Sequence, residues 1–515
     1  MVSINRIPMK NIFRIISLSI LCYSNSFAQQ STEVYLADLD LNSDTLKINN
    51  ANNISNNEGY DNQPSFFSDD KILFASTRNK QTDIALYDIN NKTTTWISNT
   101  PNGSEYSPLK IPGKAAISAV RLDNDGLQRL YEYDIKTGES NILFPDLKVG
   151  YHVWYSSDII VCTVLVEDRM DLVVYNLKEN TSYTAQKNVG RSLHKIPASN
   201  LISYISNEDK TLEIKSLNPI SGEIKIINYI WNGRDDITWL SNNTIIASTE
   251  KAIVQVFADT LGIWELFHRF EPNQMYNMSR MAISPNRKYI AIVSQDTPDK
   301  IVQKQVESFN ARDLETFANC YSEDVLVKNF AKDTISVGRE QLKKGYEVFY
   351  QKTPSIEVKV SSRIVIGSTV IDQEVVSIDD KQKQQVAIYE TDGLIKSMTF
   401  IRDKETPFDP EVIVQKQLDA YNNRDLEGFL NTYSKTAKIY SYSGELRSEG
   451  TDAMRSGYAD LFNSTPDLHC EILNRIVIGN TVIDEESITA NGNIISAVLV
   501  YEVENDKIIK ATIIR

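Results

Sequence analysis

The sequence is poor in the residues that most often carry metal binding, disulfide bonds or nucleic-acid recognition. Among 515 residues there are only four histidines and four cysteines, and no cluster of lysine or arginine. The formal net charge of −14 argues against nucleic acid or an anionic membrane surface as a main partner. The histidines lie singly, without the spacing of metal ligands, at His152, His194, His268 and His469. We therefore predict no metal site.

Motifs of cofactor-dependent and nucleophilic enzymes are absent as well. The chain contains no Gly-x-Ser-x-Gly elbow, no phosphate-binding loop and no dinucleotide fingerprint. Any enzyme with this sequence is therefore expected to need no cofactor. Beyond the amino-terminal segment the cysteines are Cys162, Cys320 and Cys470. Because this set is odd and scattered, it is no disulfide framework, and we interpret the three as small core residues.

Long hydrophobic runs are also missing, and one short run lies near the amino terminus. Basic residues at positions 6, 10 and 14 precede an apolar run over 15–22, and small residues at Ser26 and Ala28 suit a cleavage site. The run is too short to span a bilayer. We predict a bacterial signal peptide over residues 1–28, and a soluble protein that is periplasmic or secreted, without a membrane span.

An internal repeat organises the second half of the chain. IVQKQVESFNARDLETF begins at Ile301 and returns as IVQKQLDAYNNRDLEGF at Ile413, an interval of 112 residues. RIVIGSTVID and RIVIGNTVID keep the same interval. Because the period is too long for a solenoid unit, each copy is predicted to be a domain with its own core. The predicted domains are residues 301–403 and 411–515, with linkers at TPDK and KETPFDP.

Each copy begins with helical periodicity and ends with strand patterns. Asp313 and Asp425 are placed to cap a second helix. A third helix is predicted over 339–350 in the first copy and over 452–462 in the second. After the third helix, the pattern predicts two strands joined by a type II′ turn at Gly367, and then a further pair of strands. The four strands are expected to form an antiparallel meander. This order predicts an α+β domain.

The region over residues 31–298 consists of short alternating strands broken by Asn, Asp, Gly and Pro. Groups of strands begin every 40 to 45 residues, at Pro64, Ser107, His152, Ser192, Ile237 and Arg280. One four-stranded propeller blade has this length. The last group stops after two strands, and two more lie near Glu33 and Thr45. The two ends of the region are therefore predicted to share the last of six blades.

Two of these strand groups carry a family resemblance. SPNRKYIAIV, and SFFSDDKILFAS with the LYDI strand that follows it, resemble the WD-like repeats of the TolB-like propeller family. The resemblance implies an exported six-bladed propeller. It does not identify a partner, because function depends on sites rather than on folds. We expect an envelope protein or a glycan on this platform.

A set of motifs in the repeats carries a second resemblance. NARDLETFANCYSEDV, GREQLKKGYEVFY, RIVIGSTVIDQE and YETDGLIKSMTFIR occur in this order, and the set looks like the SnoaL-like branch of the nuclear transport factor 2-like superfamily. The resemblance implies a curved sheet wrapped by helices into a cone that can hold a small apolar molecule. Cones of this superfamily often dimerise through their sheets, so the two copies are expected to form an intramolecular pseudo-dimer. The predicted fold class is multidomain, an all-β six-bladed propeller plus two α+β cones.

Paired carboxylates on one strand of each copy are the first candidates for chemistry. Asp372 and Glu374 project from the same strand face, as do Asp484 and Glu486. Beside valines, such carboxyls can have raised pKa values and transfer protons. The isomerase members of the superfamily use a carboxylate base and a tyrosine in an oxyanion hole, and the resemblance adds Tyr421 as a catalytic candidate.

The alternative is that these acids face solvent or pair with arginines across the sheet. The candidate arginines are Arg363, Arg475, Arg402 and Arg515. A histidine often lies between the two acids in the superfamily, but Gln373 and Glu485 stand there, and Phe309 replaces Tyr421 in the first copy. These departures favour an exported binding protein over a cofactor-independent isomerase-, cyclase- or hydrolase-like enzyme acting in a cone, and they leave both functions open. The candidate ligand-binding residues are Tyr321, Tyr389, Tyr433, Tyr501 and His469.

Overall fold

The structure is a computed structural model that describes residues 31–41, 47–57, 59–79, 81–101, 103–270, 274–330 and 334–515. The predicted signal peptide over 1–28 lies outside the described residues. Within the described residues, no helix has the length and apolar character needed to cross a membrane.

The first region forms six four-stranded antiparallel sheets within the described residues. The first three contain β1 (Thr32–Asp40), β2 (Lys47–Asn53), β3 (Asp61–Ser68), β4 (Lys71–Arg78), β5 (Gln81–Asp88), β6 (Thr93–Trp96), β7 (Gly103–Lys110), β8 (Ala116–Asp123), β9 (Gln128–Asp134) and β10 (Ser140–Phe144). The others contain β11 (Val149–Trp154), β12 (Ile159–Val166), β13 (Arg169–Asn176), β14 (Thr181–Gln186), β15 (His194–Lys195), β16 (Ile202–Ser206), β17 (Glu213–Leu217), β18 (Ile224–Tyr229), β19 (Ile237–Trp239), β20 (Thr244–Ser248), β21 (Ala252–Phe257) and β22 (Glu265–Arg269).

The two ends of this region meet in one sheet. Strands β23 (Met281–Ile283) and β24 (Tyr289–Gln295) complete the sheet of β1 and β2, in the order β2-β1-β24-β23. Strand β1 pairs with β24 from Thr32 to Asp38, so the ring closes by backbone hydrogen bonds that join its two ends. Such closure leaves no open sheet edge between the ends of a propeller.

The two repeats have the same order of elements. The first contains α1 (Pro298–Ala311), α2 (Leu314–Asn319), β25 (Tyr321–Asn329), β26 (Thr334–Val337), α3 (Arg339–Lys352), β27 (Glu357–Ile366), β28 (Thr369–Ile378), β29 (Lys381–Thr391) and β30 (Ile395–Arg402). The second contains α4 (Pro410–Asn422), α5 (Leu426–Thr432), β31 (Tyr433–Ser441), β32 (Leu446–Glu449), α6 (Thr451–Ser464), β33 (His469–Ile478), β34 (Thr481–Ala490), β35 (Asn493–Glu504) and β36 (Lys507–Ile514).

Each repeat folds into one six-stranded mixed sheet, with the orders β26-β25-β30-β29-β28-β27 and β32-β31-β36-β35-β34-β33. The predicted antiparallel meander after the third helix is confirmed in both repeats, but the predicted order of three helices followed by strands is wrong, because two strands come before the third helix. Strands β25 and β31 precede the third helix and pair in parallel with the last strand of their own repeat. This crossover places α3 and α6 over one face of their sheets, where Leu342 and Met454 are buried in the domain cores.

The helices begin earlier than the repeat predicted. Thr297 is the N-cap of α1 with Pro298 in its first turn, so the expected TPDK linker is the beginning of a helix. Proline suits this position because its missing N–H would be unpaired there anyway. The Lys300 ammonium donates to the Tyr35 hydroxyl at 2.7 Å, which ties α1 to the propeller. The predicted capping of α2 is confirmed, since Asp313 accepts from the Thr316 N–H.

The two sheets of the repeats pack against each other through a shared apolar cluster. Ile364, Ile371 and Ile388 of the first sheet contact Ile476 and Ile483 of the second in one buried cluster. Alternate residues on the same strands face the helices and form the separate core of each domain. Each sheet is therefore covered on both faces, by its own helices and by the other sheet.

Candidate functional site

Strand alternation decides which of the four predicted carboxylates reach the domain interiors. On β34, Ile483 faces the other sheet, whereas Val482 belongs to the core beneath the helices. Asp484 and Glu486 share the strand face of Val482, and both are buried. The first repeat repeats this arrangement with Asp372 and Glu374, so none of the four faces solvent.

The two aspartates are held by arginines of the neighbouring strand. Arg363 donates to both carboxylate oxygens of Asp372 at 2.6 Å. Arg475 does the same to Asp484 at 2.6 and 2.7 Å. Burial raises the pKa of Asp484, and the arginine offsets part of that rise. These bidentate pairs engage both oxygens of each aspartate with an arginine of the protein.

Within the described residues, the two buried glutamates form no ion pair with an arginine and are hydrogen-bonded by tyrosines instead. Burial raises the pKa of Glu374 to about 7 and that of Glu486 to about 7. The Tyr389 hydroxyl donates to Glu374 at 3.0 Å, and the Tyr501 hydroxyl donates to Glu486 at 3.1 Å. A carboxyl with such a pKa changes its charge near neutral pH, which suits a proton-transfer group.

Glu486 opens into a cavity of about 380 Å³ in the second repeat. Most of its lining is aromatic or aliphatic, and its polar groups include Gln417, Arg447 and Arg515. The other lining residues include Leu418, Tyr421, Tyr433, Ala453, Met454, Gly457, Tyr458, Leu461, Cys470, Ile488, Ala497, Leu499, Tyr501 and Ile513. A mostly apolar cavity of this size with a few convergent polar groups is typical of a small-molecule site.

Aromatic packing fixes one wall of the cavity. The rings of Tyr458 and Phe429 lie 4.3 Å apart, and those of Tyr421 and Phe462 lie 5.5 Å apart. Burial raises the pKa of Tyr458 to about 12 and raises that of Tyr421 as well. Both phenols are therefore neutral donors at physiological pH.

The structure brings most of the predicted site residues of the second repeat together. Tyr421, Tyr433, Tyr501 and Glu486 all line the cavity. His469 does not, because it is exposed at the start of β33, and the next residue faces inward. In the first repeat, Tyr321, Tyr389 and Glu374 are buried in the equivalent interior.

Sequence reasoning missed three residues of the site. Cys470 is predicted only as a core residue, yet it lines the cavity, as Glu486 does. Tyr458 and Ala497 were not singled out, although both line the cavity. A position-by-position comparison of the two repeats marks Cys470 and Ala497, because Val358 and Gln385 occupy their places in the first copy.

A second, polar cavity of about 330 Å³ lies in the propeller, between strands of different sheets. Its lining includes Arg191, Arg234, Arg280, Asp235 and Asp236. Arg191 forms a bidentate pair with Asp236 at 2.9 and 2.6 Å. Arg280 donates to the Asn62 side chain at 3.0 Å. Mixed charges of this kind suit a polar partner rather than an apolar ligand.

Comparisons with known proteins find one family model and several solved structures that are similar to parts of the chain. Residues 414–511 match the family model described as SnoaL-like domain, so the chain contains a SnoaL-like domain. A comparison with curated proteins found no match. Solved structures of TolB proteins resemble about half of the chain.

Three solved structures illustrate these likenesses. A TolB from Agrobacterium tumefaciens is 10% identical with a TM-score of 0.41, covering 51% of this chain and 98% of that chain. TolB from Acinetobacter baumannii is 11% identical with a TM-score of 0.36, covering 52% of this chain and 65% of that chain. A cystatin-fold protein from Novosphingobium aromaticivorans is 26% identical with a TM-score of 0.20, covering 21% of this chain and 99% of that chain.

Proposed function

We propose that this chain is an exported binding protein with two kinds of binding module. The six sheets of the first region act as six blades of one propeller, and both repeats are cones that pair through their sheets as an intramolecular pseudo-dimer. The propeller serves as the platform for an envelope protein or a glycan, and a cone holds a small, mostly apolar molecule. Residues 1–28 direct the chain to the periplasm or the exterior.

One observation carries the ligand-binding part of this proposal. The cavity of about 380 Å³ in the second repeat is walled by apolar and aromatic side chains, with the Glu486 carboxyl among them. An apolar ligand that fills it is expelled from water, while the few polar groups fix its orientation. The polar, mixed-charge cavity of the propeller supports a different partner there.

A titration of the full chain with 1-anilinonaphthalene-8-sulfonate tests the site in the second repeat. Gly457 lines the cavity on α6, and a β-carbon added there meets no atom within 4 Å. Gly457→Trp therefore projects a large ring toward the cavity without disturbing the helix. We expect the affinity for the dye, measured from its fluorescence enhancement, to fall at least tenfold.

Gly345→Trp is the matched control, because Gly345 occupies the equivalent position on α3 and its added β-carbon is equally free. This variant is expected to bind the dye like the unaltered chain. Equal binding by the unaltered chain and by Gly457→Trp would place the dye elsewhere and would contradict the proposal.

Catalysis remains a second candidate because of one specific observation, the pKa of about 7 of the Glu486 carboxyl inside the cavity. A general base works best when its pKa lies near the working pH. Hydrogen–deuterium exchange at the α-carbon of 2-tetralone, an apolar ketone, measures such proton transfer by NMR. Acceleration by the unaltered chain that Glu486→Gln abolishes would favour an isomerase- or cyclase-like, cofactor-free enzyme. Absence of acceleration would favour the binding function.

A further inference from the structure

We infer that the second repeat is the ligand-binding copy, and that its ligand is a small apolar molecule whose O–H or N–H group donates to Glu486. The inference deepens the binding function proposed above and rests on it. In the first repeat, the side chain of Gln385 occupies the position that the polar group of the ligand takes in the second repeat.

The strand register places the decisive difference directly beside the two glutamates. On β28 and β29, Glu374 is paired with Gln385. On β34 and β35, Glu486 is paired with Ala497 in the same register. Cross-strand partners of this kind lie close enough for their side chains to interact. The residue opposite the glutamate therefore decides what its carboxyl meets.

In the first repeat the carboxyl is occupied by groups of the protein. The Gln385 amide nitrogen donates to Oε2 of Glu374 at 2.7 Å, while the Tyr389 hydroxyl donates to Oε1 at 3.0 Å. Met398, the register partner of Tyr389, fills further space in this core. The interior thus supplies one donor to each oxygen of Glu374 without any ligand.

In the second repeat, smaller side chains occupy the same positions. Ala497 ends at its β-carbon, and Ala511 takes the place of Met398 opposite Tyr501. Glu486 accepts from the Tyr501 hydroxyl at 3.1 Å, and the Cys470 thiol, a weak donor, lines the same cavity. A carboxylate has about four lone-pair sites, so Glu486 keeps the capacity that the Gln385 amide satisfies in the first copy.

This comparison defines the chemistry of the ligand. The group that replaces the Gln385 amide must be a donor, because it faces a carboxylate that already accepts from a tyrosine. An alcohol, a phenol or an amide N–H meets this condition, whereas a hydrocarbon or an ether does not. The body of the molecule must be apolar, because Leu418, Leu461 and Ile488 line the remaining space.

Calorimetric titration of the full chain with 2-naphthol and 2-methoxynaphthalene tests the donor requirement. The two probes share the apolar body, but only 2-naphthol carries an O–H. Near pH 8, above the pKa of Glu486, we expect 2-naphthol to bind about tenfold more tightly than the ether. Equal affinities would overturn the inference while leaving an apolar site in place. Failure of both probes to bind the unaltered chain would instead contradict the proposed function itself.

Two reciprocal variants test the assignment to the second copy. Ala497→Gln introduces the amide of the first copy beside Glu486 and is expected to weaken 2-naphthol binding at least tenfold. The reverse change, Q385A together with M398A, gives the first copy both alanines of the second and is expected to add a second binding event. The assignment of the ligand to the second copy would be contradicted if Ala497→Gln bound 2-naphthol like the unaltered chain. It would also be contradicted if the double variant showed only one binding event.

Discussion

Ser362 and Asn474 occupy the same position in the two repeats, and they contact each other. The Asn474 amide donates to the Ser362 hydroxyl at 3.0 Å, across the packed sheets. In a two-fold arrangement, a residue meets its own counterpart only at the axis. The contact therefore supports the proposed pseudo-dimer, and it predicts that equivalent substitutions within the shared apolar cluster have similar effects.

Ile483→Asp should destabilise the packed sheets. Ile483 is fully buried in the shared cluster, so the substitution removes apolar contacts and buries a carboxylate without a partner. We expect a loss of at least about 4 kcal/mol in the free energy of unfolding. Urea denaturation of the full chain measures it, and faster proteolysis of the linker over 403–409 is expected as well.

The matched variants define the outcome that would contradict this prediction. Ile371→Asp changes the equivalent position of the first sheet and should have a comparable effect. Ile494→Asp is the surface control, because Ile494 is 76% exposed, and it should change stability by less than about 0.5 kcal/mol. If Ile483→Asp resembled the surface control, the sheets would not be packed in solution.

Two equivalent glycines should respond differently to alanine. Gly367 and Gly479 both begin their hairpin turns with positive φ, +58° and +53°. A β-carbon on Gly367 meets no atom within 4 Å, whereas one on Gly479 lies 2.8 Å from the Lys404 backbone nitrogen. Gly367→Ala should therefore show only the cost of the left-handed conformation, about 1 kcal/mol. Gly479→Ala should cost clearly more, because the linker must also move.

Thermal and urea unfolding of the two variants measure this difference. A third variant, Gly492→Ala, has a positive φ of +75° and no neighbour within 4 Å, so it should match Gly367→Ala. Equal losses of stability for all three variants would mean that the Lys404 backbone shifts without a measurable loss of free energy.

The sequence is informative wherever a local pattern decides the structure. Alternation on β34 correctly placed Asp484 and Glu486 on one face, and the motif around Asp313 predicted the cap of α2. The parallel pairing of β25 with β30 was not predictable, because it joins strands more than 60 residues apart and depends on the whole fold. The place of Cys470 in the cavity was not predictable for a similar reason, since it depends on how the helices pack over the sheet.

Asp484→Asn should weaken the fold more than it weakens ligand binding. The substitution leaves Arg475, which is only 12% exposed, without its bidentate carboxylate. We expect a loss of about 3 kcal/mol in unfolding free energy. Asp484 is not among the residues that line the cavity, so dye affinity should change by less than about threefold.

The first repeat provides the comparison for this prediction. Both arginines also donate to a glutamine amide oxygen of their first helix, that of Gln303 or Gln415. Arg475 in addition lies 3.4 Å from the Glu411 carboxylate, whereas Arg363 donates to the Asp299 backbone carbonyl. Asp372→Asn therefore leaves Arg363 without any carboxylate partner, and its loss in unfolding free energy should be larger than that of Asp484→Asn. A large loss of dye affinity in stable Asp484→Asn would show instead that the aspartate touches the ligand.

Stability should fall as the pH rises through the titration of the buried glutamates. Burial raises the pKa of Glu374 from 4.5 to about 7, so the folded chain keeps a proton that the unfolded chain releases. The stabilisation from this group is complete below about pH 4.5 and is lost as the pH approaches 7. The shift corresponds to about 3 kcal/mol.

Glu374→Gln stays neutral at every pH and keeps the shape, so its unfolding free energy should fall less between about pH 5 and about pH 8. Glu357→Gln, at an exposed position of the same sheet, should keep the full pH dependence. Urea titrations at both pH values measure the three slopes, and parallel curves for all three proteins would mean that Glu374 is already ionised at about pH 5 in the folded chain.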